Sequence, residues 1–158
     1  MSRPFMGIFL AVALVSCAQS DGKPPDPIAQ IKTHITGATK IEIIHDLSGV
    51  PDAKWDKKNL IWAVPDTHKM VIVDKRLIGD IKSLISFTPS TARLGEGGML
   101  LYFYLDDRPV YTSLINGMFV VHTESPDRPG FLDKKYKFKA SPELIEKISS
   151  MKTKKRNS

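Results

Sequence analysis

MLLYFYLDDRPVYTSLINGMFVVHT, residues 99–123, is the stretch that decides the fold. Asn116-Gly117 stands between two runs rich in β-branched and aromatic residues. This dipeptide favours a two-residue type I′ hairpin, because both of its residues tolerate a positive φ. The turn pairs Tyr111 with His122 and sets the four residue pairs between them and the turn in register. The stretch therefore predicts an antiparallel hairpin.

A second turn joins this hairpin to the strand before it. The segment from Asp106 to Pro109 consists largely of residues typical of turns. A turn of that length sets Leu105 opposite Val110 and Tyr104 opposite Tyr111. The three strands are thus predicted to form a meander within one sheet.

Successive side chains of a strand point to opposite faces of the sheet, so these registers separate two faces. The first is a core face and collects Leu101, Phe103, Leu105, Val110, Thr112, Leu114, Phe119 and Val121. The second is mixed in character and collects Leu100, Tyr102, Tyr104, Tyr111, Ser113, Ile115, Met118, Val120 and His122.

Outside the meander, capping residues predict three helices. Asp26, Asp74 and Ser141 each precede isoleucines and leucines at helical spacing. The alternating run KYKFK, residues 135–139, predicts an edge strand whose lysines protect the sheet. Shorter strands are predicted at 40–46, 60–64 and 70–73, with a loop at 48–59. The order of elements predicts an α+β domain with an antiparallel sheet and about three helices packed mainly on one face.

The N-terminal region has a different character. Phe5 to Val15 is a run of apolar and small residues preceded by Arg3. As a helix it spans roughly 16 Å, well short of the roughly 30 Å of bilayer hydrocarbon, so it suits a signal peptide better than a membrane span. The run ends in Leu14-Val15-Ser16-Cys17, which resembles the lipobox of bacterial lipoproteins at all four positions. This resemblance covers the first 17 residues only.

The resemblance implies cleavage before Cys17, a diacylglycerol on its sulfur and an acyl chain such as palmitate on its new amine. It implies no other cofactor. Ala18, where Asp commonly signals inner-membrane retention, favours the outer membrane facing the periplasm, or the cell membrane in a Gram-positive source. The alternative is an ordinary cleavage site at Ser16-Cys17-Ala18 that releases a secreted protein. Cys17 is the only cysteine, so an intramolecular disulfide is excluded.

The predicted organisation follows from these signals. The segments are a lipoprotein signal peptide (1–16), a lipidated cysteine with a flexible tether (17–27), one α+β domain (28–151) and a basic disordered tail (152–158). The formal net charge is +6, but Arg3 and the four basic residues of the tail carry five of those charges. A basic stripe on the domain, and with it a nucleic-acid partner, is therefore not expected.

Residues that carry chemistry are scarce in the mature chain. Its histidines show no metal-ligand spacing, although His45-Asp46 and His68 are a weak zinc alternative. The turn residues Asp106-Asp107 do not need a catalytic role. The sequence accordingly predicts no catalytic and no metal-binding residues, and a protein that is not an enzyme.

The second sheet face is the candidate binding surface. Tyrosine and methionine are favoured at protein interfaces, and the candidate residues on this face are Tyr102, Tyr104, Tyr111, Met118 and His122. Two alternatives stay open: the face is open to a partner, or residues 47–66 with their two tryptophans cover it. The expected function is an anchored protein-binding module of the inhibitor, immunity or assembly-accessory type, with an envelope protein as partner. The alternatives are a binder of a small apolar ligand between sheet and helix and, more weakly, an envelope enzyme.

Replacing the lipobox cysteine tests the anchor. We predict that Cys17→Ser abolishes lipid labelling and either leaves unprocessed precursor or releases the protein, because serine offers no thiol for the thioether. Membrane fractionation, metabolic lipid labelling and mass spectrometry of the N-terminus measure this. Cys17→Ser protein that stays membrane-bound after signal-peptide removal would contradict the lipoprotein assignment.

Overall fold

The meander forms the middle of an antiparallel sheet in the computed structural model, which describes residues 26–125 and 127–156. The lipobox-like residues at 14–17, the predicted signal peptide at 1–16 and most of the predicted tether lie outside the described residues. In chain order the elements are α1 (Pro27–Gly37), β1 (Lys40–Ile44), β2 (Lys54–Asp56), β3 (Ile61–Ala63), a 3₁₀ turn (Asp66–His68), β4 (Met70–Ile72), α2 (Lys75–Ser83), β5 (Met99–Leu105), β6 (Arg108–Ile115), β7 (Met118–Glu124), β8 (Leu132–Lys139) and α3 (Pro142–Arg156).

Six strands make the main sheet, in the order β4-β1-β5-β6-β7-β8, and every neighbouring pair is antiparallel. Strands β2 and β3 form a separate two-stranded hairpin. With three helices in the described part of the chain, this is the predicted α+β architecture. The prediction of fold class is confirmed.

The two turns of the meander differ in how well the sequence predicted them. Asn116 and Gly117 have φ of 49° and 73°, and the register from Ile115–Met118 to Tyr111–His122 is as predicted. The other turn was predicted too long, because Leu105 pairs with Arg108 and not with Val110.

The shorter turn has a local cause. Asp106 and Asp107 both adopt a positive φ, 49° and 60°, which closes a two-residue turn and frees Arg108 and Pro109 to join β6. The predicted register was therefore wrong by two residues. Since side chains alternate with a period of two, this error leaves both predicted faces intact.

The three helices start where the capping residues predicted. Asp26 Oδ1 accepts a hydrogen bond from the Ile28 amide at 3.0 Å, and Asp74 Oδ1 accepts one from the Leu77 amide at 2.7 Å. At the start of α3, Ser141 Oγ accepts from the Leu144 amide at 3.1 Å. Each cap satisfies a backbone donor that has no partner within the helix.

All three helices pack on the first sheet face, as predicted. The helix residues buried there are Ile31 and Ile35 of α1, Ile78 and Ile81 of α2, and Leu144 and Ile148 of α3. They meet the sheet residues Leu101, Phe103, Leu114, Phe119 and Val121. This is the main core of the domain.

The second face has a cover of its own, the β2–β3 hairpin. The backbone amide of Trp62 donates to the Tyr102 hydroxyl at 2.9 Å, and Trp55 Nε1 donates to the Gly130 carbonyl at 3.0 Å. Tyr102 and Tyr104 are buried beneath this hairpin together with Ile44. Of the two alternatives for the second face, the structure therefore agrees with the one in which residues 47–66 cover it.

Two of the predicted boundaries need correction. The predicted loop at 48–59 contains strand β2, whose three residues are too few to show a strand pattern and depend on pairing with β3. Helix α3 continues to Arg156, into the segment predicted as a basic tail, since lysine and arginine are good helix formers. None of the helices in the described ranges combines the length and apolarity that crossing a membrane requires.

The end strand β8 confirms the predicted edge. Its side chains alternate as expected, with Lys135 and Lys139 exposed and Phe138 buried, although the strand begins earlier than residue 135. Residues 88–90 run along its outer edge: the Ser90 amide donates to the Lys137 carbonyl, and the Lys139 amide donates to the Thr88 carbonyl, both at 2.9 Å. The outer edge of β8 is thus partly paired.

The hydrogen bond between the hairpin and the sheet provides a test of the fold. We predict that Tyr102→Phe destabilises the domain by roughly 1–2 kcal/mol, because the Trp62 amide loses its acceptor in a partly buried place. Amide exchange of residues 54–63 should accelerate. Tyr104→Phe is the control, since its hydroxyl donates to Glu42 Oε2 and not to the hairpin. Equal exchange of the hairpin in both variants would contradict the assigned role of Tyr102.

Candidate functional site

The hairpin does not cover the whole second face, and an open cleft of about 890 Å³ lies beside it. The cleft is bounded by the loop after β1, by the hairpin, by the start of β5 and by side chains of β6 and β7. Its lining residues are His45, Asp46, Leu47, Ser48, Ala53, Trp62, Gly97, Gly98, Met99, Leu100, Tyr111, Ser113, Leu114, Ile115 and His122. A cleft of this size is in the range of small-molecule sites.

Glycine allows the loop before β5 to lie directly on the sheet. Gly97 and Gly98 have φ of 77° and 136°. A Cβ on Gly98 would lie 2.6 Å from the Leu114 carbonyl oxygen and from a side-chain carbon of Ile115. A larger residue at position 98 would therefore push this wall of the cleft away from β6.

The opposite rim is held by a local turn at Asp46. Its Oδ1 accepts hydrogen bonds from the Ser48 amide at 3.0 Å and from Ser48 Oγ at 2.6 Å. This arrangement is an Asx turn, which keeps the carboxylate in one orientation without support from a helix or strand. Nearby, His45 Nδ1 lies 3.4 Å from Met99 Sδ and ties the rim to β5.

Trp62 and Tyr111 form an aromatic wall of the cleft, and Trp55 and Tyr102 pack against them without lining it. The Trp55 ring meets Trp62 at 5.6 Å and Tyr111 at 6.1 Å between centroids, both in edge-to-face geometry. Tyr111 in turn meets Tyr102 at 5.4 Å. Burial raises the pKa of both tyrosines, so both hydroxyls are protonated at neutral pH.

A serine and a histidine meet at the base of the cleft. Ser113 Oγ lies 2.9 Å from His122 Nε2, and the Tyr111 ring packs edge-on against His122 at 4.5 Å between centroids. Burial, and next the positive charge of Lys135, lower the pKa of His122 to about 4. The imidazole is therefore neutral at pH 7 and offers hydrogen bonds without a charge.

The distance between Ser113 and His122 is that of a nucleophile and its base, but two features weaken the pair as a catalyst. Ser113 is only 1% exposed, which leaves its oxygen little room for a substrate carbonyl. A base with a pKa of about 4 has little drive to take a proton at neutral pH. The pair is better suited to hydrogen-bonding a ligand than to activating a nucleophile.

No protein-family model, curated protein or solved structure matches this chain. Its function is therefore inferred from the cleft and from the residues around it.

The structure divides the five residues predicted as a binding face. Tyr102, Tyr104 and Met118 are buried, at 1%, 7% and 2% exposure, so an open face formed by all five is wrong. The cause is the β2–β3 hairpin, which covers Tyr102 and Tyr104. Tyr111 and His122 are half-buried and line the cleft.

Tyr104 has a separate role beside the cleft. Its hydroxyl donates to Glu42 Oε2 at 3.0 Å, and this buried carboxylate also meets Lys40 at 3.3 Å and Lys69 at 3.7 Å. Burial, and next the charge of Glu42, raise the pKa of Tyr104. The group links β1, β5 and the segment before β4, and none of its members lines the cleft.

The zinc alternative does not survive. Within residues 26–125 and 127–156, no three histidine, cysteine or acidic side chains converge closely enough to hold a metal ion. His45 and Asp46 line the cleft, whereas His68 is exposed in the 3₁₀ turn and is not part of the lining.

Sequence analysis missed Ser113 and Trp62 as site residues. A signal existed for Ser113, because the predicted pairing of Tyr111 with His122 places Ser113 two residues along the same face, diagonally opposite His122. No comparable signal existed for Trp62, since its position depends on how the hairpin docks on the sheet.

The neutral imidazole makes stability depend on pH. Histidine in the unfolded chain titrates near 6.5 and His122 in the folded chain near 4, so only the unfolded state takes up the proton between these values. The contribution of the neutral His122 imidazole to the free energy of unfolding is fully present above pH 6.5 and is lost as pH falls to 4. Allowing for partial exposure, we predict a loss of roughly 2 kcal/mol at pH 4.

Urea unfolding of the wild type, His122→Gln and His68→Gln at pH 7 and pH 4.5 measures this effect. Carboxylates titrate in the same range, so the difference between variants is the informative quantity. His122→Gln should show a smaller loss of stability on acidification than the wild type. The exposed His68→Gln control should follow the wild type. Identical pH dependence in all three proteins would show that His122 is not buried in its neutral form.

Proposed function

We propose that this protein is a lipid-anchored lipoprotein of the bacterial envelope whose domain binds a small ligand in the cleft and does not act as an enzyme. The lipobox-like residues at 14–17 support the anchor. The observation that carries the binding function is the cleft itself, where an aromatic wall and the neutral Ser113–His122 pair converge.

The chemistry of the lining favours binding over catalysis. Apolar and aromatic side chains make up most of it, with a few polar groups at fixed positions, which is the composition of ligand sites in general. Two polar groups of the rim and base have a hydrogen-bond partner that orients them: Ser48 for Asp46, and His122 for Ser113. Oriented polar groups confer selectivity without being reactive.

This proposal departs from the expected apolar-ligand site in one respect. The expectation placed the ligand between the sheet and a helix. The cleft lies on the opposite face, between the sheet, the hairpin and two loops. The helix face is filled by the isoleucines and leucines of the main core.

A protein partner is the second candidate function, and one exposed ring favours it. Phe131 is 51% exposed, and the cations of Lys57 and Arg128 lie 5.5 Å and 5.9 Å from its centroid. An exposed aromatic ring with flanking cations is the kind of side chain found at protein interfaces. The candidate surface for a protein partner is therefore the loop before β8, and not the sheet face that the hairpin covers.

A variant that fills the cleft tests the proposed function. Ala53 is half-buried in the lining, so Ala53→Phe should occupy ligand space; Ala63→Phe, on the exposed side of the same hairpin, is the matched control. Native mass spectrometry of protein extracted from its own membranes measures non-covalently bound mass. We predict a loss of roughly tenfold or more in Ala53→Phe, equivalent to about 1.4 kcal/mol, and none in the control.

Two outcomes would contradict the proposal. One is wild-type protein that carries no bound molecule beyond its covalent lipid. The other is Ala53→Phe protein that folds normally and retains the same bound molecule as the wild type. A protein partner that is captured equally by Ala53→Phe and Ala63→Phe would favour the Phe131 surface instead.

A further inference from the structure

Strand β8 carries a row of lysines on the second sheet face. The register places Lys135 opposite His122 of β7, and Lys137 and Lys139 follow at intervals of two residues. Because side chains alternate along a strand, all three lysines point to the same face as His122. Lys135 and Lys139 are exposed, and Lys137 is half-buried. With two-residue steps of about 6.7 Å, the row extends over about 13 Å.

The loop that runs beside this lysine row adds to its charge. The Lys137 ammonium donates to the Ala92 carbonyl at 2.8 Å, which places the backbone of the exposed Arg93 next to the row. Glu96 is the only acidic residue between positions 91 and 98. Among the described residues, no carboxylate lies within ion-pair distance of Arg93 or of the lysine row. This side of the domain therefore carries positive charge that the chain does not neutralise.

Folding alone does not explain the lysine row. Neighbouring lysines of the row repel each other, because their separation is shorter than the Debye length of about 8 Å at physiological salt. Lysines often protect the edge of a sheet, but the outer edge of β8 is already partly paired with residues 88–90. An external partner that brings anionic groups to the row would relieve this repulsion.

We propose that the lysine row docks on the anionic lipid headgroups of the membrane that carries the protein, an inference that rests on the lipid anchor proposed above. Only eight residues, 18–25, separate Cys17 from Asp26 at the start of the domain. A chain of that length reaches at most about 30 Å. The anchored domain therefore stays close to the bilayer, and attraction between the row and anionic headgroups determines which side of the domain faces it.

A lipid surface fits the lysine row better than a small anion does. The three lysines follow one strand and do not converge on a cavity, and none of them lines the cleft. Lysine carries a point charge on a flexible stem, so it can neutralise phosphates that have no fixed arrangement. An extended array of headgroups offers many such phosphates, whereas selective binding of one small anion requires donors that converge on it.

Two fluorescent labels report which side of the domain meets the bilayer. Cys17 is the only cysteine and the proposed site of lipidation, so Thr91→Cys and Ser149→Cys each introduce one free thiol. Thr91 is exposed beside the lysine row, and Ser149 is exposed on α3 near the basic C-terminal segment. Each mature lipidated protein, labelled with an environment-sensitive dye, is bound to vesicles of phosphatidylcholine alone or mixed with phosphatidylglycerol.

We expect the emission of the label at position 91 to rise roughly twofold or more on the phosphatidylglycerol vesicles relative to phosphatidylcholine alone, and this rise to disappear at high salt. The double variant Lys135→Gln/Lys139→Gln should remove most of the rise. Both lysines are exposed, so glutamine leaves the core intact. The matched control Lys154→Gln/Lys155→Gln removes the same charge from the C-terminal segment and should leave the rise unchanged.

Three results would overturn the proposed docking. The first is equal emission of the label at position 91 on the two kinds of vesicle. The second is a rise at position 149 that only the Lys154→Gln/Lys155→Gln variant removes, because the C-terminal segment would then hold the domain on the bilayer. The third is a response at position 91 to soluble polyglutamate and not to anionic vesicles, which would assign the lysine row to an acidic protein partner.

Sedimentation separates the docking from the anchor on which it rests. Wild-type protein that fails to sediment with phosphatidylcholine vesicles would contradict the anchor and not the lysine row. Sedimentation with the phosphatidylglycerol vesicles then decides the docking on the same samples: the wild type should sediment, and Lys135→Gln/Lys139→Gln should do so roughly tenfold more weakly. Equal sedimentation of these two proteins would show that the lysine row does not bind the lipid surface.

Discussion

Strands β5, β6 and β7 carry apolar side chains on both faces, and each face must therefore be withdrawn from water. Three helices cover the face of Leu101, Phe103 and Phe119. The other face would be exposed to solvent without the β2–β3 hairpin, whose Trp62 amide donates a hydrogen bond to the Tyr102 hydroxyl. Because the hairpin is much smaller than the helical layer, it leaves part of this face uncovered. The cleft is that remainder, so it results from how the sheet is covered.

The parts of the fold that follow from local chemistry were predictable. Asn116-Gly117 specified its turn and register, and Asp26, Asp74 and Ser141 specified where the helices begin. The turn at Asp106-Asp107 was predicted two residues too long, because aspartate adopts a positive φ less readily than asparagine or glycine and so does not mark a two-residue turn as clearly as Asn116-Gly117 does. Both predicted faces survived the error, since a shift of two residues preserves the side on which each residue lies.

The cleft could be predicted only in part, because it depends on contacts between distant segments. Tyr111 and His122 were singled out from one hairpin, and both line the cleft. Trp62 and Asp46 reach it from a hairpin and a loop whose positions no local pattern encodes. The buried state of His122 likewise depends on tertiary packing. The same packing turned an expected open surface into an interior one at Tyr102 and Tyr104.

Residues 88–90, which run along the outer edge of β8, bear on how this protein behaves when it is crowded. Strand edges with unpaired backbone groups are where proteins join edge to edge into aggregates. Here the Ser90 amide and the Thr88 carbonyl already occupy positions on one end strand. The other end strand, β4, has only three residues and lies between Pro65 and Asp74, which leaves a growing sheet little to extend. A chain held at high density on a surface would gain protection from self-polymerisation, and the cleft on the covered face would stay accessible.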